Sequence, residues 1–280
     1  MLTIRPLRLT DLAAADEVTI SAFQCPSRRV EIERWMSLEG TTWLGGEESG
    51  RLVAMVGAID YGPFAYIGLM GVHADFQRCG YGRAIMITLI ERLEQAGQLC
   101  TLLDASEAGA PLYARIGYQD LSLSHVFRWN GNSPAIPLPE RLERLELAHL
   151  PEIVTLDQPF FGANRSNVLR SHLTVYPGRI LGVRNLRGEL LGYVIAQISR
   201  IGPWIAVNEE SAAALLGAAL KLEFEDSPTV ILPSSNRAGI ELLKAFGFEL
   251  QRSLRHMGRG CAGSSRCLEY IYSQSSFMLG

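Results

Sequence analysis

The sequence predicts an α/β (α+β) protein of two tandem domains with one layout, each a mixed, mostly antiparallel sheet flanked by helices. Three observations carry this. The two halves repeat one another, each alternates short strands with amphipathic helices, and a proline-rich stretch separates them.

The repeat is read from landmarks. LLDASEAGAPLYARIGYQD closes the first half and VILPSSNRAGIELLKAFGFEL closes the second, each a strand, a break and a helix ending at a Gly-aromatic pair. One offset relates Gly117-Tyr118 to Gly247-Phe248, Gly109 to Gly239, Leu112 to Leu242, Ser106 to Asn236 and Tyr113 to Leu243. Upstream, Ile67-Gly68 matches Ile201-Gly202 at an offset four residues larger, so the second half has lost four residues between these landmarks. SGRLVAMVGAI resembles RGELLGYVIAQ, with Gly50 and Gly188 as hairpin glycines, and IRPLRLTDL resembles LERLELAHL.

Each half therefore reads as a strand, one or two helices, a β-meander, a helix, a strand, a helix and a closing strand. The helix from about Gly82 to Gln95 places Ile85, Met86, Leu89, Ile90 and Leu93 on one face, which predicts core. Its counterpart, SAAALLGAALKLEFE, does the same with Leu215, Leu216, Ala219 and Leu220. Gly131, Ser133, Pro134, Pro137 and Pro139 punctuate WNGNSPAIPLPE, which predicts domains at 1–130 and 140–280 joined by a linker at 131–139.

With 48% hydrophobic and 20% charged residues, the 280-residue chain has ample material for packed cores. A net charge of −3 and no basic block argue against nucleic acid as a partner. No apolar run nears the ~20 residues of a membrane span, and the first residues lack the features of a signal peptide. A cytoplasmic protein without membrane partners, monomeric or homodimeric, is expected. The five cysteines form no Cys-x-x-Cys pair and the histidines share no helix turn, so structural thiols and no metal are expected.

The stretch GVHADFQRCGYGRA can carry chemistry. An apolar strand ending at Val72, a turn with Gly80 and Gly82, and a helix start direct unpaired backbone N–H groups at one point, where the helix dipole favours an anion. Spacing alone leaves a plain turn and a phosphate loop about equally open. No third glycine completes a dinucleotide fingerprint, and no Gly-Lys-Ser/Thr completes a P-loop.

Gln77-x-x-Gly80-x-Gly82 after a strand, followed by a helix and then by LLDASEAGAPLYARIGY, resembles the GNAT superfamily of acyl-CoA-dependent N-acetyltransferases. The whole layout, with LDQPFFGANRS, IGPWIA and SNRAGIELLKAFGF, is similar to a tandem-GNAT subgroup whose second copy is degenerate. The resemblance implies acetyl-CoA as co-substrate, its pyrophosphate cradled by Gln77, Arg78, Cys79, Gly80, Tyr81, Gly82 and Arg83. Met70, Gly71 and Val72 would offer backbone groups to the pantetheine, and Tyr113 would be the general acid that protonates the departing thiolate. Ser106 stands where the family commonly has asparagine, so its coenzyme contact is expected to be weaker or rearranged. The second half keeps Asn236 but has Leu243 for the tyrosine and lacks the turn, and is not expected to bind coenzyme A in the usual way.

The implied reaction is transfer of an acetyl group to a primary amine, taken as that of a small molecule, by direct attack in a ternary complex. Two alternatives stay open: a non-catalytic acyl-CoA sensor or scaffold, and acetylation of protein lysines or N-termini. For a general base the candidates are Asp60, His73, Glu107 or an ordered water. In the second half Asp157, Arg165 and Trp204 are candidate substrate contacts, set against an internal Asp–Arg ion pair and a buried tryptophan.

Overall fold

The computed structural model describes residues 1–134, 139, 141–261 and 266–280. Residues 135–138 of the expected linker lie outside the described residues. The first part of the chain supplies β1 (Thr3–Pro6), α1 (Leu12–Phe23), α2 (Arg29–Met36), β2 (Thr41–Glu48), β3 (Arg51–Asp60), β4 (Ala65–Val72), α3 (Tyr81–Gln95), β5 (Thr101–Ala105), α4 (Ala110–Arg115) and β6 (Gln119–Trp129). The second supplies β7 (Leu142–Arg144), α5 (Leu150–Phe161), α6 (Ser166–Val175), β8 (Ile180–Arg184), β9 (Leu190–Ala196), β10 (Ile201–Ala206), α7 (Glu209–Ala219), β11 (Thr229–Pro233), α8 (Arg237–Ala245), β12 (Phe248–Arg259) and β13 (Ile271–Ser273). The same order of strands and helices thus occurs twice.

The chain forms two compact units. One comprises Met1–Asp120, Met257–Ala262 and Phe277–Leu279; the other comprises Leu121–His256, Gly263–Ser276 and Gly280. Most of β6 therefore belongs to the second unit, while the end of β12 belongs to the first.

In the first unit β1 to β5 lie side by side in chain order. The first four are antiparallel neighbours and β5 joins β4 in parallel. Gly50, at φ 79°, turns β2 into β3. Ile85, Met86, Leu89, Ile90 and Leu93 of α3 pack on Leu44, Val56, Ile67 and Leu103 of the sheet. Burying each such side chain contributes about 1.5–3 kcal/mol. Cys100 and Cys261 form a disulfide in this unit, which corrects the reading of every cysteine as a free structural thiol. Cys25, Cys79 and Cys267 are free.

In the second unit β13, β10, β9, β8 and β7 form an antiparallel sheet, and β11 pairs antiparallel with β6. Gly188, at φ 83°, is the hairpin glycine matching Gly50. Helix α7 starts earlier and stops sooner than the pattern SAAALLGAALKLEFE suggests, ending at Ala219. Its Leu215, Leu216 and Ala219 enter the core, with Leu220 packed at the margin. Leu220 is its C-cap, and the amides of Lys221 and Leu222 bond three residues back in a tightened final turn.

The two closing helices share one device. Ser106 Oγ accepts from the Gly109 amide at 3.2 Å, and Asn236 Oδ1 accepts from the Gly239 amide at 2.7 Å. Both helices are followed by a left-handed glycine, Gly117 at φ 96° and Gly247 at φ 76°.

Candidate functional site

The site expected from sequence lies within the first unit. Strands β4 and β5 pair only at Ala65–Thr101, Tyr66–Leu102 and Ile67–Leu103, and beyond Ile67 they part. Leu69 there takes φ 50°, and the register of β4 with β3 shifts between Met55 and Gly57. A non-glycine residue in the left-handed region costs about 1–2 kcal/mol, and its effect here is to re-aim the strand. Ala65 and Ile67 before the bulge, and Met70 and Val72 after it, all pack with the α3 core. The opposite face meets α1, since a β-carbon on Gly71 would lie 3.1 Å from Ala22 Cβ and 3.4 Å from Phe23.

After β4 the chain makes a short 3-10 turn at Ala74–Phe76, which His73 caps by accepting from the Asp75 amide. Gln77 Nε2 donates back to the Val72 carbonyl at 3.2 Å. Arg78 takes φ 64° and Gly80 φ 82°, and Gly80 is the N-cap of α3. No side chain caps this helix. Its ladder starts with Ala84 N–H donating to the Gly80 carbonyl at 3.0 Å, so the amides of the first turn face outward. Arg78, Cys79, Gly80 and Arg83 are exposed. A helix N-terminus with an uncapped first turn and two nearby guanidinium groups suits a diphosphate.

Tyr81, expected in the cradle, turns its hydroxyl to Glu48 on β2 at 2.5 Å. Donation to that carboxylate pushes its pKa up to about 12. The other half of the repeat lacks these properties. Asn208 caps α7 by accepting from the Ser211 amide at 2.8 Å, and Glu209 and Glu210 occupy the first turn. Its N-terminus is satisfied and negatively charged, the opposite of α3.

The structure brings the two sequence motifs together. A β-carbon on Gly82 would lie 3.3 Å from Leu112 Cδ1, 3.5 Å from Val72 and 3.7 Å from the Met70 sulfur. Tyr113, one residue beyond Leu112, is buried in the α3 core and stacks edge-on against Tyr118, centroids 5.8 Å apart. Ser106 Oγ and Tyr113 Cε2 both lie 3.3 Å from a β-carbon position on Gly109. Burial raises the Tyr113 phenol well above the ordinary tyrosine value, with the neighbouring Tyr118 adding to the shift. The Tyr118 hydroxyl is hydrogen-bonded to Thr101 at 2.7 Å.

Two of the base candidates, Asp60 and His73, are engaged elsewhere. Asp60 accepts from the Gly62 amide at 2.8 Å and from Gln98 Nε2 at 2.7 Å, bracing a hairpin. His73 serves as the turn cap, with Nε2 3.0 Å from Arg51. Glu107 is exposed on the loop before α4. Sequence reasoning did not single out Asp104, which follows the last β4–β5 pair and accepts a hydrogen bond from buried Tyr66. Its signal was a lone carboxylate in the apolar strand TLLDA.

In the second unit, Asp157, Arg165 and Trp204 are interior groups rather than exposed substrate contacts. Arg165 donates to both Asp157 oxygens, at 2.9 and 2.7 Å, each side chain 1% exposed. Tyr193 donates to the same carboxylate at 2.5 Å, and the guanidinium lies 3.9 Å over Phe161. Trp204 is fully buried against Tyr272, centroids 4.9 Å apart. An ion pair taken out of water is stable only when bonded this completely, so these groups serve architecture. Among the described residues no cluster suits a metal ion, and no helix is long and apolar enough to cross a membrane.

A twice-repeated α/β layout with a parted strand pair and an uncapped glycine-flanked helix start defines an acetyltransferase fold. The chain belongs to the GNAT family: the Acetyltransferase (GNAT) family model matches residues 9–118, and an Acetyltransferase (GNAT) domain model matches residues 153–273. A curated relative, the uncharacterized N-acetyltransferase YitH of Bacillus subtilis, is 26% identical over 175 residues, and the match spans 60% of each chain. A solved candidate acetyltransferase of Pyrococcus horikoshii superposes with TM-score 0.87 at 23% identity, covering 100% of this chain and 96% of that one. A tandem GNAT protein from the clavulanic acid biosynthesis pathway gives TM-score 0.65 at 17% identity, covering 94% of this chain and 100% of that one. At these identities the solved structures speak for the fold.

Proposed function

We propose that the protein is an acetyl-CoA-dependent N-acetyltransferase acting on a primary amine of a small molecule, by direct attack within a ternary complex, with one coenzyme site in the first unit. The observation that carries this reading is the uncapped α3 N-terminus packed against Leu112, beside the point where β4 and β5 part. The description of the curated relative as an N-acetyltransferase supports it.

Bound acetyl-CoA supplies a thioester carbonyl open to attack. The amides of Gly80 to Arg83 would hold its pyrophosphate, with Arg78 and Arg83 completing the charge. The β4 segment from Met70 to Val72 would align the pantetheine by backbone hydrogen bonds and donate to the carbonyl oxygen as charge develops. Ser106 is bonded to its own helix start and would contribute less than the asparagine usual at that place. Tyr113, kept protonated by burial, would donate its phenolic proton to the departing sulfur.

Phe277 and Met278 press on Gly68, the backbone oxygen of Phe277 lying 2.5 Å from a β-carbon position there. That covering narrows the approach to β4 and favours a compact amine over an extended peptide. The capped, acidic start of α7 supports a single coenzyme site. Titration calorimetry with acetyl-CoA, followed by thiol-release assays over a panel of primary amines, tests the reading. Micromolar binding with turnover is expected; a wild-type protein that binds no acetyl-CoA overturns it.

A further inference from the structure

We propose that the Cys100–Cys261 disulfide is a reversible redox latch, opened by a dithiol reductant, which holds Tyr118 and Tyr113 in their working positions. This rests on the acetyltransferase reading above and adds a regulation of that site.

The bond joins positions 161 apart in sequence, both within the first unit. Cys100 stands just before β5 and is fixed from both sides: its amide donates to Gln98 Oε1 at 3.1 Å, and its carbonyl accepts from the Ala65 amide at 2.9 Å. Cys261 arrives at the end of a strap, residues 257–261, whose Met257 is buried in the α3 core. Gly260, at φ 70°, brings the strap against β5, and a β-carbon there would run into the Leu99 carbonyl oxygen. Arg259 adds an ion pair to Glu94 at 2.6 Å, but both side chains are partly exposed and such pairs hold weakly. The disulfide is the strong fastening of the strap's outer end.

This fastening lies beside the candidate acid's support. Cys261 Sγ is 3.6 Å from the carbonyl oxygen of Thr101, and the Thr101 hydroxyl is hydrogen-bonded to that of Tyr118 at 2.7 Å. Tyr118 in turn packs edge-on against Tyr113, and Met257 of the strap shares a core with both tyrosines. A covalent tie one residue from Thr101 thus reaches the acid through two contacts.

Two features mark the bond as one that opens. Both cysteines are only half-buried and their neighbours Leu99 and Gly260 are exposed, so a thiolate can reach the sulfurs, and accessible disulfides are the labile ones. The core of the unit, from Leu44 to Met257, closes without the bond, whereas stapling disulfides belong to domains whose core is too small. In the opening step one thiolate of the reductant attacks a sulfur of the pair, forming a mixed disulfide and releasing the other sulfur, which takes up a proton. The reductant's second thiol then displaces the first cysteine. Two electrons pass to the pair, which ends as two thiols, and the reductant leaves as a cyclic disulfide.

The test compares the full-length protein before and after millimolar dithiothreitol with its Cys100→Ser/Cys261→Ser double variant, following acetylated product by mass spectrometry. Reduction should raise the alkylatable cysteines from the three free ones to all five. It should lower kcat about fivefold through misplacement of the acid, and change calorimetric acetyl-CoA affinity less than about twofold. Glutathione disulfide should restore kcat. The double variant should match reduced wild type and ignore dithiothreitol, which separates the pair from Cys25, Cys79 and Cys267. Amide hydrogen exchange at Thr101 and Tyr118 should quicken on reduction while the melting curve stays cooperative. A bond that resists dithiothreitol in the native protein, or equal kcat and equal exchange in the two states, overturns the latch while the acetyltransferase reading stands. Absence of acetyl-CoA binding in both states overturns the reading beneath, and the exchange rates then decide the latch alone.

Discussion

Leu112 Cδ1 lies 3.3 Å from the place where Gly82 would carry a β-carbon, so the start of α3 and the helix bearing Tyr113 touch. The geometry leaves no room for a polar side chain at position 82 without moving Leu112. It also puts the anion-favouring end of α3 beside the candidate acid.

Gly82→Asp should therefore reduce acetyl-CoA affinity at least ~100-fold, because it places a carboxylate where a diphosphate would bind. Leu112 is a flexible neighbour, so the fold should survive with a modest fall in Tm. Calorimetry and thermal melting of the same preparation measure both effects.

Tyr113→Phe should lower kcat by about 10²-fold or more with little change in acetyl-CoA affinity. The sign of the pH effect follows from burial. The acid form is lost as pH rises through the phenol's pKa, and desolvation moves that pKa up, so loss of activity from Tyr113 ionisation should begin only above pH ~10. A kcat–pH profile of wild type, compared with the variant's residual rate, checks this.

Asp157→Ala should destabilise the second unit by about 3–5 kcal/mol, since it removes the carboxylate that accepts two hydrogen bonds from the buried Arg165 guanidinium. Replacing both partners with apolar residues of similar volume should cost less. Urea unfolding curves distinguish the two outcomes; equal losses would show that the pair is not what holds the site.

The Arg5–Asp11 pair sets an acid limit. The Arg5 guanidinium, bonded to Asp11 at 2.7 and 2.9 Å, lowers that carboxyl to about 2 from its usual 3.8. A depressed folded pKa contributes stability above the unfolded value that is lost as pH falls through the folded one. Asp11→Asn should flatten the part of the stability–pH curve between about pH 4 and pH 2, as followed by circular dichroism melts.

Much of the fold was legible because its signals are local. The α3 apolar stripe, the hairpin glycines Gly50 and Gly188, and the closing-helix glycines Gly117 and Gly247 follow from periodicity and from backbone conformations that glycine adopts cheaply. The repeat was legible too, down to Ser106 and Asn236, which make the same bond in their own helices. The glycine turn was legible as a spacing, and its partner LLDASEAGAPLYARIGY as a second motif.

The sequence by itself determined the doubled layout, the family resemblance and the residues of the turn, since each is written in neighbouring positions. Only the tertiary structure decided that Asp157 and Arg165 are bonded to each other, that Trp204 is buried, and that Asp104 rather than Asp60, His73 or Glu107 stands at the strand parting. It also decided that Cys100 meets Cys261, and that residues 257–262 and 277–279 complete the first unit. Burial and pairing depend on which distant segments arrive at a side chain, and a carboxylate reads the same in one dimension whether it ends in solvent or against an arginine.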